Sequence, residues 1–257
     1  KLLPFDIGIN LICLLLNALH TIIKTNGNGT YSSQLNTLLS NCIALIYNTN
    51  TLQHCLSLFS QCNLQIYASH AYSIMTFFNM YAQQPSGALY LHQASIIRYI
   101  CNHPLLNDNI KPYIGDKRNI WHKVWCDIIL LITSLQQRLG DTNKFLDESL
   151  EFLRSFHHIL THAIERDNLT KKQLTLARLM EIEQVIHLLA EMELYGPQWR
   201  YRLSMVSEQN KAAVLKLNQY YIYLLSNLRD LSQHVIAVSV EEKQLLNQQQ
   251  HSLKKKE

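Results

Sequence analysis

Between Asn119 and Gly196 the chain carries three long stretches of helical periodicity separated by only two short breaks. Breaks this short force consecutive helices to lie antiparallel, so that each apolar stripe can bury against the next. The first stretch repeats apolar residues at Trp121, Val124, Trp125, Ile128, Ile129, Ile132, Leu135 and Leu139, the three- and four-residue spacing of one helix face. Gly140 is expected to stop it in a left-handed C′ conformation. A second helix is expected from Asp141–Thr142, with those side chains capping its first amides and Leu146, Leu150, Leu153, Phe156, Leu160 and Ile164 on its inner face. The third is expected from Thr170, with Gln173 completing a capping box. It runs through Leu174, Ala177, Met180, Val185, Leu188 and Leu189 to Met192, and Gly196–Pro197 ends it.

Composition agrees with helices. Hydrophobic residues make up 47% of 257, enough for a real core, and the 7 Gly and 5 Pro fall at breaks between periodic segments rather than at the frequent turns of a strand-rich fold. The six cysteines (Cys13, Cys42, Cys55, Cys62, Cys101 and Cys126) have no paired spacing and sit within helical patterns, which predicts reduced, mostly buried thiols in a cytoplasmic or nuclear setting. The chain opens on Lys1 without a signal-peptide pattern and is expected to be a piece of a longer protein.

In chain order, a first helix is expected from Asp6 to Lys24. Its apolar run is shorter than the ~20 residues a bilayer needs, and Asn10, Asn17 and His20 interrupt it, so burial by protein is expected rather than a transmembrane span. After "TNGNGT", Ser33 is expected to cap a helix carrying Leu35, Leu38, Leu39, Cys42, Ile43 and Ile46. Thr51 is expected to cap a short helix, and Asn63 to open a longer one through Tyr81. "QQPSG" at 83–87 reads as a loop, and a single helix is expected from Leu89 to Asn102. A connection follows to Asn119. After the three central helices, a short segment with Trp199, Tyr201, Leu203 and Val206 leads into a long pattern from Ser207 to Val235.

The expected architecture is therefore all-α, an irregular solenoid of stacked antiparallel helix pairs of the HEAT/ARM kind, over residues 1–238. It comprises uncharged early helices (1–103), three central helices (119–196) and terminal helices (198–238), with 239–257 a frayed helix or mobile tail. Pairs recur about every forty residues, near the HEAT period, without alignable consensus residues. The third central helix alone would span about 40 Å, long for a compact globule. Charge is uneven: residues 1–100 contain only Lys1, Asp6, Lys24 and Arg98, and the other 38 of the 42 charged residues lie beyond. Uncharged polar faces are cheaper to cover than ions, which places the early part inside a larger assembly. A genome rich in Asn codons would leave the same mark, and the sequence alone keeps both readings open.

No chemical signature rises above this background. His158 and His162 share a helix face beside His157, but no HExxH pattern or cysteine pair completes a zinc set; they read as surface histidines. Cys55, Cys62 and His70 read as core residues on two helices. Asp147, Glu148 and Glu151 read as first-turn acids complementing a helix dipole. Phosphate loops, nucleophile elbows and Cys–His signatures are absent, so the sequence predicts no catalytic residue, no metal, no cofactor and no small-molecule substrate. The net charge of +4 owes much to Lys254, Lys255 and Lys256, and no basic stripe interleaved with aromatics appears, so direct nucleic-acid binding is not expected. The one candidate site is an aromatic and apolar group on the terminal helices: Trp199, Tyr201, Tyr220, Tyr221, Leu224 and Leu228. It is either core packing or a groove for a partner helix.

From Trp121 to Trp199 the sequence resembles the C-terminal tail of the large inner-ring scaffold nucleoporins, of the 188 kDa type or its 205 kDa relative. The residues that carry the resemblance are Trp121 and Val124, "FLDESLEFL" from Phe145 to Leu153, "EIEQVIHLL" from Glu181 to Leu189, and Trp199. It implies a non-enzymatic α-solenoid in the nuclear pore complex at the nuclear envelope. Such a tail would dock an amphipathic helix of the inner-ring linker nucleoporin and support nucleocytoplasmic transport, with contacts to other nucleoporins and to transport factors. The alternatives are a soluble HEAT-like transport receptor or adaptor, whose regular repeats and acidic inner surface this sequence lacks, and an all-α metal-dependent enzyme built around His158 and His162.

Overall fold

The computed structural model describes residues 30–62, 68–104, 106, 120–140, 142–164 and 176–204, together with single positions within 8–21 and 212–226. Every regular element among the described residues is an α-helix. The helices are α1 Thr30–Asn48, α2 Thr51–Gln61, α3 Ala68–Ala82, α4 Pro85–Gln93, α5 Ile96–Cys101, α6 Ile120–Leu139, α7 Asn143–Ile164, α8 Leu176–Glu193 and α9 Gly196–Ser204.

Helix α6 is the hub. All eight apolar positions that its periodicity picks out are buried, as are the six of α7. At roughly 1.5–3 kcal/mol per fully buried large apolar side chain, these two stripes contribute to a core that also draws on the other helices. Trp125 of α6 meets Phe156 and Phe152 of α7 at ring-centroid distances of 5.3 and 6.2 Å, the tilted and offset arrangements that aromatic quadrupoles favour. Neighbour relations fall into two rows. In one, α6 lies between α3 and α8; in the other, α2 packs on α5, α5 on α7, and α7 on α9. Pairs such as α2–α3, α6–α7 and α8–α9 tie the rows together, and α1 packs on α2 and α4.

Polar groups stitch the same joints. The Tyr81 hydroxyl donates to the carbonyl of Ile43 at 2.8 Å, joining α3 to α1. His103 Nε2 donates to the carbonyl of Phe59 at 3.1 Å, satisfying an acceptor in the last turn of α2. Fully buried Ser149 donates to Gln136 Oε1 at 3.0 Å between α7 and α6. The buried thiols are chemically quiet, since burial pushes Cys101 up to about 11 and raises Cys126 further. No described helix is long and apolar enough to cross a membrane.

Several boundaries differ from the sequence expectation. Thr51 does not cap α2; it is the first helical residue, preceded by Asn50 in a left-handed conformation (φ 57°) without a side-chain cap. The loop expected at 83–87 is shorter, because Pro85 occupies the first turn of α4, where a missing N–H costs nothing. The single helix expected over Leu89–Asn102 is two, broken where Ser95 turns left-handed at φ 58°. The Thr142 hydroxyl donates back to the carbonyl of Leu139 at 2.7 Å and closes the α6–α7 corner, while its carbonyl accepts from the Leu146 N–H of α7 at 3.1 Å. Gly196–Pro197, expected to end α8, instead opens α9; α8 ends earlier, at Glu193.

Gly140 follows α6 as expected but for another reason. Its φ is not positive; instead a Cβ there would lie 2.5 Å from Tyr195 Cε2 and from the Gln136 carbonyl oxygen. Met180 and Leu38, both assigned to inner faces, are about half exposed. Asp141, the starts at Asn63 and at Thr170 with Gln173, and the 239–257 tail lie outside the described residues, as does most of the Asp6–Lys24 and Ser207–Val235 patterns.

Candidate functional site

The six residues of the expected groove separate in the structure. Trp199 sits in α9 at 4% exposure and Tyr221 is likewise buried, and both belong to the main apolar core. Tyr201 is 64% exposed. Tyr220, Leu224 and Leu228 lie outside the described residues. Trp199 and Tyr221 are thus packing residues of the α8–α9 end, and Tyr201 is exposed there. Leu194, at the corner just before α9, is also exposed.

The histidines do not form a metal set. His157 turns its Nδ1 to the carbonyl of Arg154 at 2.9 Å, and His158 is exposed. Among the described residues no group of three or more His, Cys, Asp or Glu side chains is placed to hold a metal ion. Two of the three α7 acids join helices and none lies in the first turn of α7: Glu148 accepts from His92 of α4 at 3.0 Å and Asp147 pairs with Arg202 of α9, while Glu151 pairs with Arg154 within α7 at 4.0 Å.

Sequence reasoning missed the most polar place in the core. On α8, Glu181 is 3% exposed, and its two carboxylate oxygens accept from Trp125 Nε1 at 3.0 Å and His122 Nε2 at 3.3 Å, both on α6. One turn earlier on α8, equally buried Arg178 donates to the carbonyl of His162 in the last turn of α7 at 3.0 Å. Burial pushes the Arg178 guanidinium down from its ordinary value and the nearby Glu181 charge partly restores it. Four side chains therefore fix α6, α7 and α8 in one register. Such a cluster costs desolvation and tends to specify geometry rather than add stability. It exposes no group to a substrate.

Asp127, on the opposite side of α6, is half-buried against α3. Burial raises its carboxyl to about 6, against the smaller lowering effects of the Thr76 hydroxyl at 3.5 Å and the Lys123 charge. The folded chain holds this proton to higher pH than the unfolded chain, so stability falls as pH rises from about 4 to 6 and stays lower above. Asp127→Asn is expected to raise stability at pH 7.5 by about 1–2 kcal/mol, after discounting for partial solvent exposure, and to change little near pH 4. Urea midpoints at the two pH values test this; a gain independent of pH would contradict it.

Compared with known proteins, the chain matches no family model, no curated protein and no solved structure. The functional reading rests on the fold, the surface and the sequence pattern.

Proposed function

We propose that the chain is a non-catalytic scaffold segment, an irregular HEAT-like α-solenoid of the nuclear pore inner ring that docks an amphipathic helix of a linker nucleoporin. The observation that carries the solenoid reading is the two-row order, α3–α6–α8 against α2–α5–α7–α9. Stacked helix pairs produce this order, each pair touching its neighbours in the array. The residues behind the nucleoporin resemblance support the reading in kind. Trp121, Val124, Phe145, Leu150, Phe152, Leu153, Ile182, Val185, Leu188, Leu189 and Trp199 are all buried, in the consecutive helices α6 to α9. A shared pattern of this kind describes a shared packing unit. Exposed Tyr201 and Leu194 at the α8–α9 end supply the aromatic and aliphatic anchors that helix docking uses.

Proximity labelling in cells, with the chain fused to a biotin ligase, tests the location. Enrichment of inner-ring nucleoporins over outer-ring and cytoplasmic proteins is the expected result. Labelling dominated by soluble transport receptors and cargo would favour an importin-like adaptor instead.

A further inference from the structure

A second surface lies away from the α8–α9 end. An open cleft of about 570 Å³, within the size range of ligand sites, runs between α2 and the α4–α5 corner. Gln53 and Ser60 line it from α2; Gln93, Ser95, Arg98, Tyr99 and Asn102 line it from the other side. We infer that this cleft binds an acidic peptide segment of a protein partner, with one carboxylate on Arg98 and the flanking backbone on the side-chain amides.

Three observations converge on this. Arg98 is the one Lys, Arg, Asp or Glu between Thr30 and Pro104, and the other polar side chains of the cleft are Gln, Ser, Asn and Tyr. It is exposed, and among the described residues it makes no ion pair, although Glu148 and Glu151 influence Cys101 three positions along the same helix. Among the described residues the lining contains no carboxylate, so none of them competes with an incoming anion for the Arg98 cation. A guanidinium presents a fork of donors that matches one carboxylate in a bidentate pair. The third observation is the amides of Gln53, Gln93 and Asn102, which both donate and accept. That suits a peptide backbone, with its alternating N–H and C=O groups, better than a phosphate, which would call for several donors converging on one centre. Ser95 completes the shape. Its left-handed backbone breaks α4 from α5 and turns the second helix at the cleft wall, in a conformation that costs a non-glycine residue of order 1 kcal/mol.

The test is a heteronuclear NMR titration of the 15N-labelled chain with a capped hexapeptide of alternating glutamate and serine, with its glutamine counterpart, and with inorganic phosphate. Saturable shifts at Gln53, Arg98 and Asn102 with the glutamate peptide, at least tenfold weaker with the glutamine peptide and with Arg98→Gln, are the expected result, with Arg98→Lys retaining part of the affinity. Equal shifts with phosphate would make this a small-anion site and overturn the peptide assignment. No shifts at millimolar peptide, or an affinity unchanged by Arg98→Gln in a folded chain, would reduce Arg98 to a solvated cation complementing the end of α5. The cleft uses no residue of α8 or α9, so failure here is separable from failure of linker-helix docking.

Discussion

Glu181→Ala is expected to destabilise the fold by about 3–5 kcal/mol, the range for stripping one partner from a buried charged cluster. The substitution removes the acceptor of Trp125 Nε1 and His122 Nε2 and also the Glu181 charge that favours the charged form of the buried Arg178 guanidinium. Each orphaned group then bears its own desolvation cost. Glu181→Gln keeps an acceptor oxygen for one of the two donors while losing the charge, so it should fall between wild type and alanine. Equilibrium urea unfolding of the three proteins is the measurement. If alanine and glutamine variants both unfold with wild-type midpoints, the cluster does not bind α8 to α6.

The second large effect is expected at Gly87, in the first turn of α4. Its Cα faces the last turn of α3 so closely that a Cβ would fall within the contact radius of the Tyr81 carbonyl oxygen. That oxygen is backbone and cannot swing aside, and the same Tyr81 is anchored through its hydroxyl to Ile43 on α1. Gly87→Ala should therefore force the α3–α4 corner open at a cost of about 3 kcal/mol or more, the upper end of overpacking. Ala is normally the better helix former by about 1 kcal/mol, so helix propensity alone predicts the opposite sign. A thermal midpoint lowered by several degrees meets the expectation, and one raised by the substitution would show that the two helices lie farther apart.

Helices α6 and α7 were legible because their apolar spacing is uninterrupted and their inner faces meet other apolar faces. Trp121 through Leu139 and Leu146 through Ile164 are buried as the period requires. The break at Ser95 was not legible. Apolar residues continue on both sides of it, and a left-handed serine leaves no mark in composition. Along the sequence Pro85 looks like a loop residue, but a proline suits a first helical turn as well as a turn between helices, and only the packing of α4 on α3 and α6 chooses between them. Gly140 was placed correctly at the end of α6, but the reason is steric contact with Tyr195, 55 residues later. The Glu181 cluster was invisible for a related cause. Glu181 contacts residues 56 and 59 positions away, and along the chain it reads as one more acid on a helix. For the aromatic group, composition does not tell which ring faces inward. Trp199 and Tyr221 fill the core, and Tyr201 stays outside.

Calorimetric titration of the folded chain with a synthetic amphipathic helix from the inner-ring linker nucleoporin decides whether the proposed docking occurs. Saturable one-to-one binding is expected, weakened about tenfold or more by Tyr201→Ala, as for an aromatic anchor worth at least 1.4 kcal/mol. Because Tyr201 is exposed, that variant should keep the wild-type unfolding midpoint. A chain that stays folded and releases no binding heat at any tested temperature, with no complex in a parallel sedimentation run, would contradict the scaffold-docking role and leave the helical stack in need of another partner.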